Sequence, residues 1–144
     1  MASELCKRGI YAQLTLGNRK KTDLLVEDDK GMLRIQVKSK QEREWPGVKG
    51  ISGNDIVLVF VDFQNKDSQE RPDFYVMTSD DWADLIREEL IDTGKVERKM
   101  LTIDKYNVPI WKDGLYKGTG IKANQVEKYK EKWNKIEKLI GQKF

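Results

Sequence analysis

Six consecutive apolar residues, Ile56-Val57-Leu58-Val59-Phe60-Val61, stand between Asp55 and Asp62 and constrain the fold more than any other stretch. The run has strand length and is rich in β-branched residues. Successive side chains of a strand point to opposite faces, so a run with no polar residue must be covered on both. The expected fold class is therefore α/β: a mixed central sheet flanked by α-helices, in a chain whose 144 residues fit one domain.

Further strands are expected over residues 10–16, 23–26, 32–40 and 74–77. A short helical piece over 2–8 ends at Gly9. Thr78-Ser79-Asp80-Asp81 caps a second helix over 78–91, in which Trp82, Leu85, Ile86 and Leu90 recur at helical steps and Gly94 follows the end. A third helix is expected over 124–140, with Asn124 as N-cap, Glu127 as its capping-box partner, and Val126, Tyr129, Trp133, Ile136 and Ile140 as one buried stripe. Residues 41–50 read as an irregular charged loop, where Trp45 either stacks on a base or caps the core. Residues 95–120 read as one strand near 100–103 and loops. Lys117-Gly118-Thr119-Gly120 lacks the spacing of a phosphate loop and reads as a turn into the last helix.

The chemistry concentrates in Thr22–Lys40. Asp23 opens the apolar run Leu24-Leu25-Val26, Glu27-Asp28-Asp29-Lys30-Gly31 forms a polar connection, and Met32 onward alternates with period two. Leu33, Ile35 and Val37 share one face; Arg34, Gln36, Lys38 and Lys40 share the other. Two such runs around a Gly-containing turn form a β-hairpin. Folding there brings Asp23 beside Gln36 and Lys38, so that an acid, an amide oxygen and an ammonium meet at one edge of a sheet. The plainer alternative is a solvated strand face.

An Asp followed thirteen residues later by Gln-Val-Lys resembles the PD-(D/E)XK, or restriction-endonuclease-like, nuclease superfamily. The likeness extends back through Gly9-Ile10-Tyr11 and residues 17–21, and forward to Gln41 and Trp45-Pro46. It is closest to the small single-domain branch of that superfamily. The resemblance implies Mg²⁺ or Mn²⁺ held by Asp23, Gln36 and the Val37 carbonyl, with Lys38 acting on the attacking water. Related folds draw a further Glu from the first helix, and Glu4 is the acid at that place. Gln36 departs from the usual Glu or Asp, which removes one negative charge from the site. The implied activity is phosphodiester hydrolysis in DNA. The polyanion would cross the face of Arg34, Lys38 and Lys40, with Arg19, Lys20 and Lys21 along its rim. Two alternatives stay open: a nuclease-fold protein that binds nucleic acid or a protein partner without cutting, and an interaction domain with an incidental hairpin face.

Composition narrows the chemistry further. The chain has no histidine, which removes His-based zinc sites, Ser-His-Asp and Cys-His catalysis, and any His general base. A single cysteine, Cys6, forms no intrachain disulfide and suits a reducing compartment. No apolar run has membrane-spanning length and no secretory h-region precedes Gly9, so the expected location is the cytoplasm, with no membrane partner. The net charge of +3 gives little global field. Residues 112–143 nevertheless hold nine Lys against four acids, and residues 17–49 nine Lys or Arg against six. Monomer and homodimer are both compatible with this surface.

Overall fold

A computed structural model of the chain describes residues 1–10, 13–14, 22–28, 31–112, 114 and 116–143, with 2, 13, 14, 22, 23, 27, 28, 31 and 141–143 described by their backbone alone. The order is α1 (Ala2–Lys7), β1 (Gln13–Leu14), β2 (Thr22–Asp28), β3 (Gly31–Lys40), β4 (Glu44–Val48), β5 (Ile56–Asp62), β6 (Asp73–Met77) and α2 (Ser79–Ile86). Then come β7 (Leu101–Ile103), β8 (Pro109–Trp111), β9 (Thr119–Lys122) and α3 (Asn134–Lys143).

Five strands form a mixed sheet in the order β1-β2-β3-β5-β6. The first three make an antiparallel meander, β5 runs parallel to β3, and β6 closes the edge antiparallel to β5. Parallel neighbours need a long crossover. Here residues 41–55 supply it and carry β4, which pairs with β9.

All of β5 is buried, as its unbroken apolar run requires. Val57, Val59 and Val61 join Leu33, Ile35, Phe74, Leu5, Trp133 and Ile136 in one core. Ile56, Leu58 and Phe60 join Trp45, Tyr75, Trp82 and Leu85 in the other. Burying one such side chain stabilises the fold by about 1.5–3 kcal/mol. Thr78 caps α2 as expected: its hydroxyl accepts from the Asp81 N–H at 3.2 Å, and the Asp81 carboxylate accepts from the Thr78 N–H at 2.9 Å.

Three expectations need correction. The helix expected over 124–140 is two single 3₁₀ turns followed by α3. Lys130 bridges to Tyr75, and the Glu131 N–H donates to the Phe74 carbonyl at 2.9 Å, with Glu131 at φ +56. The chain thus rounds the edge strand β6, placing Val126 and Tyr129 in one core and Trp133 and Ile136 in the other. A stripe that looks helical is two half-stripes on opposite faces of a sheet. Residues 41–50 are not an irregular loop throughout, since they contain β4. Residues 95–120 hold two strands, β7 and β8, and the start of β9, so 117–120 leads into a strand rather than a helix. The strand expected over 10–16 is described only at Gln13–Leu14.

Candidate functional site

The hairpin register sets the site. β2 and β3 pair Asp28 with Gly31, Leu24 with Ile35, and Asp23 directly with Gln36. Along β3, Gln36 lies beside Leu58 and Lys38 beside Phe60 in the parallel ladder. Gln36 and Lys38 therefore stand on the sheet face that further along carries the Trp45 and Trp82 core. Beside β3 that face is not filled with apolar side chains. A cleft of ≈ 200 Å³ opens there, lined by Gln36, Lys38, Gly47, Lys49 and Gly50.

Gln36 is only 8% exposed. Among the described residues its side-chain amide makes no hydrogen bond. A buried amide of this kind normally has a partner, and an orphaned one in a cleft marks a place for a water, an ion or a ligand. Lys38 is half-buried and lines the same cleft. Lys49 lines it too and is exposed, coming from the segment that follows β4. Sequence reasoning missed Lys49. Its available signal was a Lys between two glycines, Gly47 and Gly50, which both take positive φ and let the backbone form the cleft wall. Gly50 also touches the core: a Cβ there would lie 2.0 Å from Trp82 Cε2 and Nε1.

Val37, expected to offer its backbone carbonyl, stands between Gln36 and Lys38 on β3, paired with Thr22 and Val59 in the ladder, while its side chain packs on the Leu33–Trp133 core. Glu4 does not join Gln36 and Lys38. It accepts from Arg71 Nε at 2.8 Å and lies 3.8 Å from both Lys7 and Arg8. Its neighbour Leu5 belongs to the core on the opposite face of the sheet. The Arg71 hydrogen bond holds the Glu4 carboxyl below its ordinary range, against the opposing effect of burial.

Lys40 corrects the expected nucleic-acid face. Its side chain is 2% exposed, and Nζ donates to Asp62 Oδ1 at 2.9 Å, the Glu42 carbonyl at 3.0 Å and Gln64 Oε1 at 3.1 Å. All three ammonium protons are used, and the Trp45 ring lies 4.8 Å away. Strand alternation put Lys40 on the right face, but the crossover folds over it. Trp45 is core: Nε1 donates to the Val61 carbonyl at 3.3 Å and the ring packs on Phe60. Arg34 is exposed. Arg19, Lys20 and Lys21 lie outside the described residues.

Among the described side chains, no group of three or more Asp, Glu or Cys is placed to hold a metal. Among the described side chains the donor here is the Gln36 amide oxygen, and the residue paired with it in the backbone register is Asp23. An amide oxygen suits a hard divalent ion that keeps several waters and takes further ligands from a substrate phosphate. Among the described residues, no helix is long and apolar enough to cross a membrane. Compared with protein-family models, curated proteins and solved structures, the chain matches none.

Proposed function

We propose that the protein is a metal-dependent nuclease that hydrolyses phosphodiester bonds in nucleic acid, with DNA as the expected substrate, on a restriction-endonuclease-like fold. The observation that carries this reading is the buried Gln36 amide lining a cleft, without a hydrogen-bond partner among the described residues, with Asp23 opposite it in the strand ladder and Lys38 two residues on. The meander β1-β2-β3 with a parallel β5 supports the fold assignment.

Asp23 and Gln36 would hold Mg²⁺ or Mn²⁺. Bound there, the ion supplies positive charge that polarises the phosphoryl oxygen. Lys38 orients the attacking water by hydrogen bonding and stabilises negative charge as it develops on the phosphoryl oxygens. Lys49, from the facing wall, neutralises the phosphate and holds the strand in place. With Gln36 in place of a second carboxylate, the metal would be held weakly until the substrate phosphate adds its own charge.

A second reading, a nucleic-acid-binding domain that does not cut, is favoured by one observation. The cleft lining includes two lysines and an amide, a cationic surface that would hold a phosphate backbone without any metal. Titrating Mn²⁺ into wild type and Asp23→Ala, and incubating both with plasmid and single-stranded DNA, separates the two. The nuclease reading expects cleavage that Asp23→Ala abolishes together with metal binding. It also expects Lys38→Ala to keep the metal but lose about 10²–10⁴-fold in rate. Salt-sensitive DNA binding without cleavage or metal heat in wild type would leave the second reading. Neither binding nor cleavage would sink both.

A further inference from the structure

We infer that the cleft takes a single nucleic-acid strand, with an unpaired base stacked on Tyr116 beside the phosphate path. The inference rests on the proposed nuclease site and names the form of its substrate.

The cleft lined by Gln36 and Lys38 is also lined by Gly47, Lys49 and Gly50 of the 47–50 segment. At its Gly47 end sits the strand-entry segment 116–118. The Tyr116 hydroxyl lies 3.5 Å from where a Cβ on Gly47 would stand, and a Cβ on Gly118 would come 2.7 Å from the Gly47 carbonyl oxygen. Two contacts thus seat this segment against a residue that lines the cleft. Tyr116 itself is 47% exposed. Among the described residues, no aromatic ring or cation stacks on it. At the other end, Trp82 abuts Gly50 and its Nε1 donates to the Asn107 carbonyl at 2.9 Å, next to Tyr106, the other exposed tyrosine among the described residues. Lys105 already lies 5.0 Å from the Tyr106 ring, which leaves Tyr116 as the better platform.

Cations accompany this ring. Lys38 and Lys49 line the cleft, and Lys117 is exposed next to Tyr116 in the chain. A basic groove with an aromatic ring at its rim is how proteins hold unpaired strands: the cations track the phosphates and a base stacks on the ring. A duplex keeps its base faces inside its own stack and gains nothing from that ring. The geometry therefore favours an unpaired strand over a duplex.

The test is fluorescence anisotropy at low salt, with EDTA present so that no strand is cut. Its probes are a labelled thymidine 12-mer, a uridine 12-mer, an abasic 12-mer of equal charge, and a duplex of equal length. Wild type is expected to bind one of the base-bearing strands about 5- to 150-fold more tightly than the abasic strand, the range that stacking of one base on an aromatic ring supplies. The two base-bearing strands report which sugar is preferred, and tighter binding of either supports the inference. Tyr116→Ala should lose that margin while leaving affinity for the abasic strand unchanged, and Tyr116→Phe should keep it. The wild-type comparison of based and abasic strands needs no variant to fold. Equal affinity for all four probes would overturn the inference and leave the nuclease reading standing. Absence of salt-sensitive binding to any probe would overturn both.

Discussion

Gly50→Ala tests the joint between the cleft and the core. Gly50 takes φ +81, a region in which an L side chain carries roughly 1–2 kcal/mol of strain. The added Cβ would stand 2.0 Å from two atoms of Trp82, a fully buried residue. The indole must move, which overpacks the core at about 1–3 kcal/mol. Moving it stretches the hydrogen bond from Nε1 to the Asn107 carbonyl, worth about 1 kcal/mol. Together these give a loss of about 3–6 kcal/mol, a large share of a typical domain stability of about 5–15 kcal/mol. Gly9→Ala is the control, since Gly9 has a similar φ of +77 and nothing within 4 Å of its added Cβ. That variant carries the backbone strain alone. Urea denaturation followed by tryptophan fluorescence reads the difference. With a slope of about 2 kcal/mol per M, the Gly50→Ala midpoint should fall by about 1.5–3 M, and that of Gly9→Ala by less than about 1 M. Equal midpoints for the two variants would show that Trp82 does not pack on Gly50, and the cleft wall would need a different account.

Removing one partner of the buried Lys40–Asp62 pair, as in Asp62→Ala, should lower stability by about 3–5 kcal/mol in the same assay, whereas a loss below about 1 kcal/mol would mean that water reaches Lys40. Lys40→Met should leave affinity for single-stranded DNA unchanged, and weaker binding would return Lys40 to the interface. Arg71 bonds both Glu4 and Glu131, and both carboxyls are held below their ordinary range: Glu4 chiefly by Arg71, Glu131 by Arg71 and Trp133 against the upward push of burial. A lowered folded value contributes stability above the ordinary carboxylate value of 4.5 and loses it as pH falls through the folded value. Arg71→Gln should therefore lower stability by about 1 kcal/mol at pH 7, a modest figure because Arg71 is partly exposed and screened. The gap should begin to close as pH drops through 4.5, and a gap constant from pH 7 to pH 3 in thermal melts would refute the assignment. Lys49→Glu should weaken binding of a thymidine 12-mer by at least about tenfold at low salt, with the loss shrinking as salt rises; an unchanged affinity would remove Lys49 from the cleft's function.

Much of the main sheet was legible in the chain, because strand burial is written locally. The unbroken run Ile56–Val61 could only be a strand covered on both faces, and the alternation of Leu33, Ile35 and Val37 against Gln36 and Lys38 set which residues face which core. The Asp23–Gln36 pairing was legible for the same reason: a short polar turn between two strands admits few registers. The Thr78 cap was legible too, since its hydrogen bonds join residues three apart.

What the chain could not reveal depends on contacts between distant residues. The periodicity of Val126, Tyr129, Trp133 and Ile136 fits a helix as well as a chain that rounds a strand edge, and only the bonding of residues 130 and 131 to β6 decides between them. Lys40 carries the same local signature as Lys38, yet one is buried against Asp62 and the other lines a cleft. The difference lies in where the crossover after β3 lays Trp45 and where it leaves Gly47 and Gly50. Local alternation sets the face on which a side chain emerges. Whether water, a ligand or another segment meets it there is a matter of packing across the whole fold, because burial is set by what covers a face and not by the strand that forms it.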